Sequence, residues 1–101
     1  MEIINLGTDN SIFNQFISEI RSIDIQKDNM RFRRNCERMG EIMAYEISKT
    51  FTYYTKNITT PLGNAPINLT NEQPVLSTIL RAGLTLHQGL LNYFDKAENT
   101  F

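Results

Sequence analysis

The chain has 101 residues, 41% of them hydrophobic and 21% charged, with a formal net charge of −1. That apolar content is too high for a disordered chain. The near-neutral charge argues against a dedicated nucleic-acid binder, which needs clustered Lys and Arg, and against a polybasic membrane anchor. One cysteine, Cys36, permits no intrachain disulfide and no cysteine-based metal site. No apolar run approaches the ~20 residues of a spanning helix. The start, Met1-Glu2-Ile3-Ile4-Asn5, lacks the basic-then-apolar pattern of a signal peptide, and a cytoplasmic location is expected. On that expectation the sequons at Asn57-Ile58-Thr59 and Asn68-Leu69-Thr70 are chance. A chain of this length buries only about 60–65% of the surface its unfolded form exposes, so a partner or a further segment would add much.

Residues 10–22 read as a first helix. Ile12, Phe13, Phe16, Ile17 and Ile20 recur at helical spacing, and Asp9, Asn10 or Ser11 can cap the start. Residues 25–50 read as a longer helix capped by Asp24. Phe32, Cys36, Met39, Met43 and Ile47 step by four, three, four and four and are expected to share a buried face, with Cys36 an inert thiol in it. Met30, Met39 and Met43 read as core packing. Gly40 costs ~1 kcal/mol against alanine in a helix, which suggests a close approach by a neighbouring element. Arg31, Arg34 and Arg38 form a basic stripe with Glu37 and Glu41 at pairing distance, which reads as a solvated, internally paired face.

The period changes at residue 51. Phe51-Thr52-Tyr53-Tyr54-Thr55 is aromatic and β-branched, and alternation continues to Thr60. Pro61-Leu62-Gly63-Asn64 is a turn and residues 65–69 are the return strand. Pro66 cannot donate to a ladder, so the hairpin is expected at an edge or projecting outward. Residues 74–80 form a nearly continuous apolar run, the pattern of a strand covered on both faces. Arg81-Ala82-Gly83 follows, and then a helical pattern through Leu84, Leu86, Leu90, Leu91 and Phe94. Asp95 and Glu98 read as surface charges. Strand, tight turn and helix make half of a βαβ unit, and a parallel sheet needs further strands. The expected fold class is therefore α/β and partial: residues 10–50 helical, 51–70 a hairpin arm, 71–101 strand, loop and helix.

Ligands of open α/β sheets bind beyond the carboxyl ends of the strands, where Arg81 lies. A guanidinium matches phosphate oxygens, a glycine lets a ligand approach the backbone, and a helix start offers unpaired amides. A phosphate or diphosphate suits such a corner. The plainer alternative, in which Arg81 only caps or pairs, stays open on pattern alone. His87, the only histidine, could be a general base but has no acid partner at helical spacing, and reads as a helix-border residue.

Residues Pro74–Leu84 resemble the "PILRAGL" segment of uracil phosphoribosyltransferases. Arg31-Phe32-Arg33 with Gly40-Glu41-Ile42-Met43-Ala44-Tyr45-Glu46 resembles that family's N-terminal helix. Thr60-Pro61-Leu62-Gly63 resembles its hairpin tip, and Gly89 fits the following helix. The resemblance runs in order through the whole chain. It implies the N-terminal part of a type I phosphoribosyltransferase-like fold, and the reaction of uracil with 5-phosphoribosyl diphosphate to give UMP and diphosphate. It also implies Mg²⁺ on the diphosphate, with no ligands for it in these residues. Arg81, with the backbone of Ala82 and Gly83, would bind the diphosphate. The hairpin 51–70, with Tyr53 and Tyr54, would join two copies. A second arginine, an acidic strand end, an Ala-Thr-Gly loop and a uracil-reading hood are expected beyond Phe101, so these residues alone are expected to be inactive. Thr85, His87 and Gln88 depart from the family's pattern. A non-catalytic interaction module is the alternative, and a nucleic-acid binder using the arginine stripe ranks last.

Overall fold

The computed structural model describes all residues from Met1 to Phe101. Three helices and two small sheets follow in chain order: α1 Phe13–Arg21, α2 Asn29–Ser48, β1 Tyr54–Thr60, β2 Gly63–Leu69, β3 Val75–Ser77, α3 Leu84–Tyr93 and β4 Glu98–Thr100. The class is α/β, as the element pattern implies.

Asp28, not Asp24, caps α2. Residues 24–27 are turns, and the Asp28 carboxylate accepts from the Arg31 amide at 3.0 Å, the third amide of the new helix. Before α1, the Ser11 hydroxyl accepts from the Phe13 amide at 3.2 Å.

The face that α2 buries also differs from the expected stripe. Asn35, Gly40 and Ala44 are buried, whereas Phe32, Met43 and Ile47 stay 39%, 36% and 41% exposed, and Cys36 is only half-buried. The reason is the helix that α2 meets. Gly40 abuts Gly89 of α3 so closely that a Cβ on Gly40 would overlap the Leu86 carbonyl oxygen, and one on Gly89 would overlap that of Glu37. Two backbones this near admit only small residues between them, so the large side chains of α2 stand to the side.

Between these helices and the sheet lies the core: Ala44, Leu76, Phe94 and Ala97, with Phe51, Leu90 and Leu91 against them. The Phe51 and Phe94 rings are 5.6 Å apart. Only eight residues are buried, and the radius of gyration is 16.7 Å. A compact chain of this length would measure about 13 Å. Much apolar surface is therefore uncovered.

β1 and β2 pair antiparallel, with Pro61 and Leu62 as the turn and Gly63 at φ +121°. No other element packs on this hairpin, which projects as Pro66 implied. Its register puts Tyr54, Ile58, Ala65, Ile67 and Leu69 on one face with Lys56. Thr55, Asn57, Thr59, Asn64, Pro66 and Asn68 lie on the other.

The strand expected at 74–80 is only three residues long and is not covered on both faces. Leu76 is buried, but Val75, Ile79 and Leu80 are 64%, 85% and 56% exposed. α3 packs on one side and no layer on the other. β4 was not expected. It pairs parallel to β3, with Val75 opposite Glu98 and Ser77 opposite Thr100, so the unit is a whole βαβ and not half of one. Glu-Asn-Thr carries no apolar alternation and is exposed throughout, as expected of Glu98. The return of α3 beside β3 makes it a strand. No helix is long and apolar enough to cross a membrane.

Candidate functional site

The parallel pair ends, on its carboxyl side, in the loop 78–83 and in Phe101. The Thr78 amide extends the ladder by donating to the Thr100 carbonyl at 3.2 Å. The loop then folds back on itself. The Gly83 amide donates to the Ile79 carbonyl at 3.0 Å, and the Leu84 amide to that of Arg81 at 3.2 Å. Helix α3 starts there, with the His87 amide on the Gly83 carbonyl at 2.9 Å. The amides of Ala82, Thr85 and Leu86 have no acceptor in the chain, as is usual for a helix start.

Arg81 and Ala82 are exposed and Gly83 is half-buried. The Arg81 guanidinium makes no ion pair or hydrogen bond, so it neither pairs with an acid nor caps a helix here. Gly83 has φ −81°, an ordinary value, so its need for glycine is one of space: a Cβ would overlap the Thr78 hydroxyl. The loop lies open. The chain's larger cavities are elsewhere, one of about 380 Å³ between the N-terminal segment and α2, another of about 260 Å³ lined by Arg33, Arg34, Glu37, Thr85 and Gln88.

Of the arginine stripe only Arg34 pairs with the interleaved acids as its spacing implied; Arg31 reaches Glu19 of α1 and Asp28 instead, and Arg38 has no acid partner. Arg34 lies 2.6 Å from Glu37 and 3.6 Å from Glu41, and Arg31 lies 3.4 Å from Glu19. Arg38 donates to Asn35 at 3.0 Å and covers the Phe16 ring. Asn35, fully buried, donates to Glu19 at 2.6 Å. That amide bond, followed by Arg31, holds the Glu19 carboxyl below its ordinary range. Glu37 is lowered likewise, first by the Asn92 amide at 2.8 Å and then by Arg34, whose own pKa Glu37 raises. These bonds tie α1 to α2 and α2 to α3. They leave Arg81 and Arg33 as the arginines near α3 without an acid.

His87 is more deeply placed than a border residue. It is 6% exposed, its Nε2 has no partner, and its ring lies 5.6 Å from that of Phe101. Its neighbours in sequence gave no sign of this, because Phe101 reaches it only through the βαβ turn.

No three His, Cys, Asp or Glu side chains gather in the chain. The loop offers a cation and N–H donors, which suit an anion. Residues 78–83 carry no carboxylate, so the loop by itself has no ligand set that fits Mg²⁺.

A family model described as uracil phosphoribosyltransferase matches residues 7–100. A uracil phosphoribosyltransferase of Porphyromonas gingivalis is 54% identical over all 101 residues, which cover 47% of that protein. One of Methanothermobacter thermautotrophicus is 36% identical over 93 residues, covering 90% of this chain and 42% of the relative. A solved structure of an Aquifex aeolicus protein superposes with a TM-score of 0.72 at 26% identity, covering 90% of this chain and 43% of that one. The chain spans about half the length of the relatives it matches. It belongs to the uracil phosphoribosyltransferase family.

Proposed function

We propose that this member of the family supplies the diphosphate-holding corner of an enzyme that converts uracil and 5-phosphoribosyl diphosphate to UMP and diphosphate. The observation that carries the reading is the Arg81–Gly83 loop: an unpaired guanidinium beside acceptor-free amides, at the carboxyl end of a parallel β pair. In the displacement, uracil N1 bonds to ribose C1 and gives up its proton to water. The electron pair of the C1–O bond leaves with the diphosphate. Negative charge grows on that leaving group, and donors set against it lower the barrier. Arg81 supplies the charge, and the Ala82 amide with those of the first turn of α3 supplies fixed dipoles.

The 101 residues alone hold one such arginine and no enclosed pocket at the loop, and we propose that they do not turn over by themselves. UMP formation should be absent with residues 1–101 and present when they are joined to the downstream half of the Porphyromonas gingivalis relative. In that joined enzyme Arg81→Ala should cost about 2–4 kcal/mol of transition-state stabilisation, roughly 30- to 1,000-fold in kcat/KM. An unchanged kcat/KM would remove Arg81 from the site.

A second reading, a non-catalytic module that pairs with another copy, is favoured by the hairpin. Its apolar face is uncovered, with Tyr54, Ile58 and Ile67 36–42% exposed. A second copy is the partner proposed for this face in the enzyme too. Steady dimerisation without affinity for phosphoribosyl diphosphate would favour the module.

A further inference from the structure

We infer that Thr78 is a further diphosphate-contacting residue of the Arg81–Gly83 loop. This rests on the reading of that loop as a diphosphate site. Thr78 is anchored at its backbone, where its amide holds the Thr100 carbonyl at 3.2 Å. Its side chain is half-buried and turned into the loop. A Cβ built on Gly83 would overlap the Thr78 hydroxyl while lying 3.5 Å from Thr78 Cβ, so the hydroxyl is the group that faces the glycine.

That hydroxyl makes no hydrogen bond within the chain, although the neighbouring Ile79 carbonyl is already taken by the Gly83 amide at 3.0 Å. The hydroxyl is not sealed in, since His87 Nε2 is the only buried side-chain polar atom without a partner, so its proton is open to a ligand at the loop. The ligand proposed for the loop is rich in anionic acceptors, and Arg81 is three residues on along the same turn. The two side chains thus bracket the loop, a charged donor at its rim and a neutral donor at its base.

The alternative role for Thr78 is packing alone, filling the space that Gly83 leaves. Two substitutions separate the roles because they exchange what is kept. Thr78→Val keeps the branched shape and loses the donor; Thr78→Ser keeps the donor and loses the methyl. They are made in residues 1–101 joined to the downstream half of the Porphyromonas gingivalis relative. KM and kcat are measured for phosphoribosyl diphosphate and for uracil, and thermal unfolding is followed for each variant. Thr78→Val should raise KM for phosphoribosyl diphosphate about tenfold or more, the scale of one hydrogen bond to a charged group, with KM for uracil unmoved. Thr78→Ser should stay near the parent. The reverse order, valine equal to the parent and serine worse, overturns the inference. If Thr78→Val unfolds, loss of phosphoribosyl diphosphate affinity in Thr78→Ser overturns it as well. A parent that turns over and depends on Arg81 keeps the functional reading whatever Thr78 does; a parent without turnover removes both.

Discussion

Replacing Gly89 by alanine should destabilise the protein, although helix propensity alone says the opposite. In an exposed helix the change would gain ~1 kcal/mol. Here the new Cβ would overlap the Glu37 carbonyl oxygen and lie 2.9 Å from Gly40 Cα, and both are backbone atoms that no rotamer change can move. The helices must separate. Separation strains the Asn92–Glu37 bond of 2.8 Å and opens the core beneath, where Leu90, Leu91 and Phe94 meet Ala44. Overpacking of this kind costs up to ~3 kcal/mol, so the net loss is about 2 kcal/mol. That is a large fraction of the roughly 5–15 kcal/mol available to a chain of this size, and it should lower Tm by roughly 8–16 °C. Equilibrium urea unfolding of Gly89→Ala, Gly40→Ala and the double variant measures it. The double variant should cost less than the sum, since one separation makes room for both methyls. A Gly89→Ala midpoint above that of the parent would refute the close crossing of α2 and α3.

Gly63→Ala has open space around the new methyl but a φ of +121°, so it should loosen the hairpin by ~1–3 kcal/mol of local strain, read as faster amide exchange in 54–69 with α2 unchanged. Glu19 has its folded pKa depressed below the ordinary 4.5, first by Asn35 and then by Arg31. Its stabilising contribution is therefore complete above that value and is lost as pH falls below it. Acid unfolding of the parent should show this loss, and Glu19→Gln should flatten it; equal acid sensitivity of the two would count against the α1–α2 clasp. If the hairpin joins two copies as proposed, Ile58→Glu, which places a charge on its apolar face, should shift sedimentation toward a single copy. A dimer unaffected by it is not joined through this arm.

Local pattern was enough for what depends on neighbours along the chain. Ile12 to Ile20 and Phe32 to Ile47 carry helical spacing, the Pro61–Asn64 turn announces a hairpin, and Pro66 forecasts that it projects. The Arg81-Ala82-Gly83 turn is announced by its place between an apolar run and a helical pattern. Interleaved Glu37 and Glu41 show that Arg34 is paired, because residues three and seven apart on a helix are held together by the helix itself.

What neighbours along the chain could not decide was set by contacts between distant segments. Glu98–Thr100 has no strand character of its own and becomes one only because α3 returns it to β3. Asn35 is buried because Glu19, sixteen residues earlier, lies opposite it, and His87 because Phe101 closes over it. The apolar stripe of α2 lost its expected burial to Gly40 and Ala44, since the distance between two helices is set by the smallest side chains at their crossing. Hydrophobic spacing says which residues favour burial; which of them are buried depends on the shape of what comes to meet them.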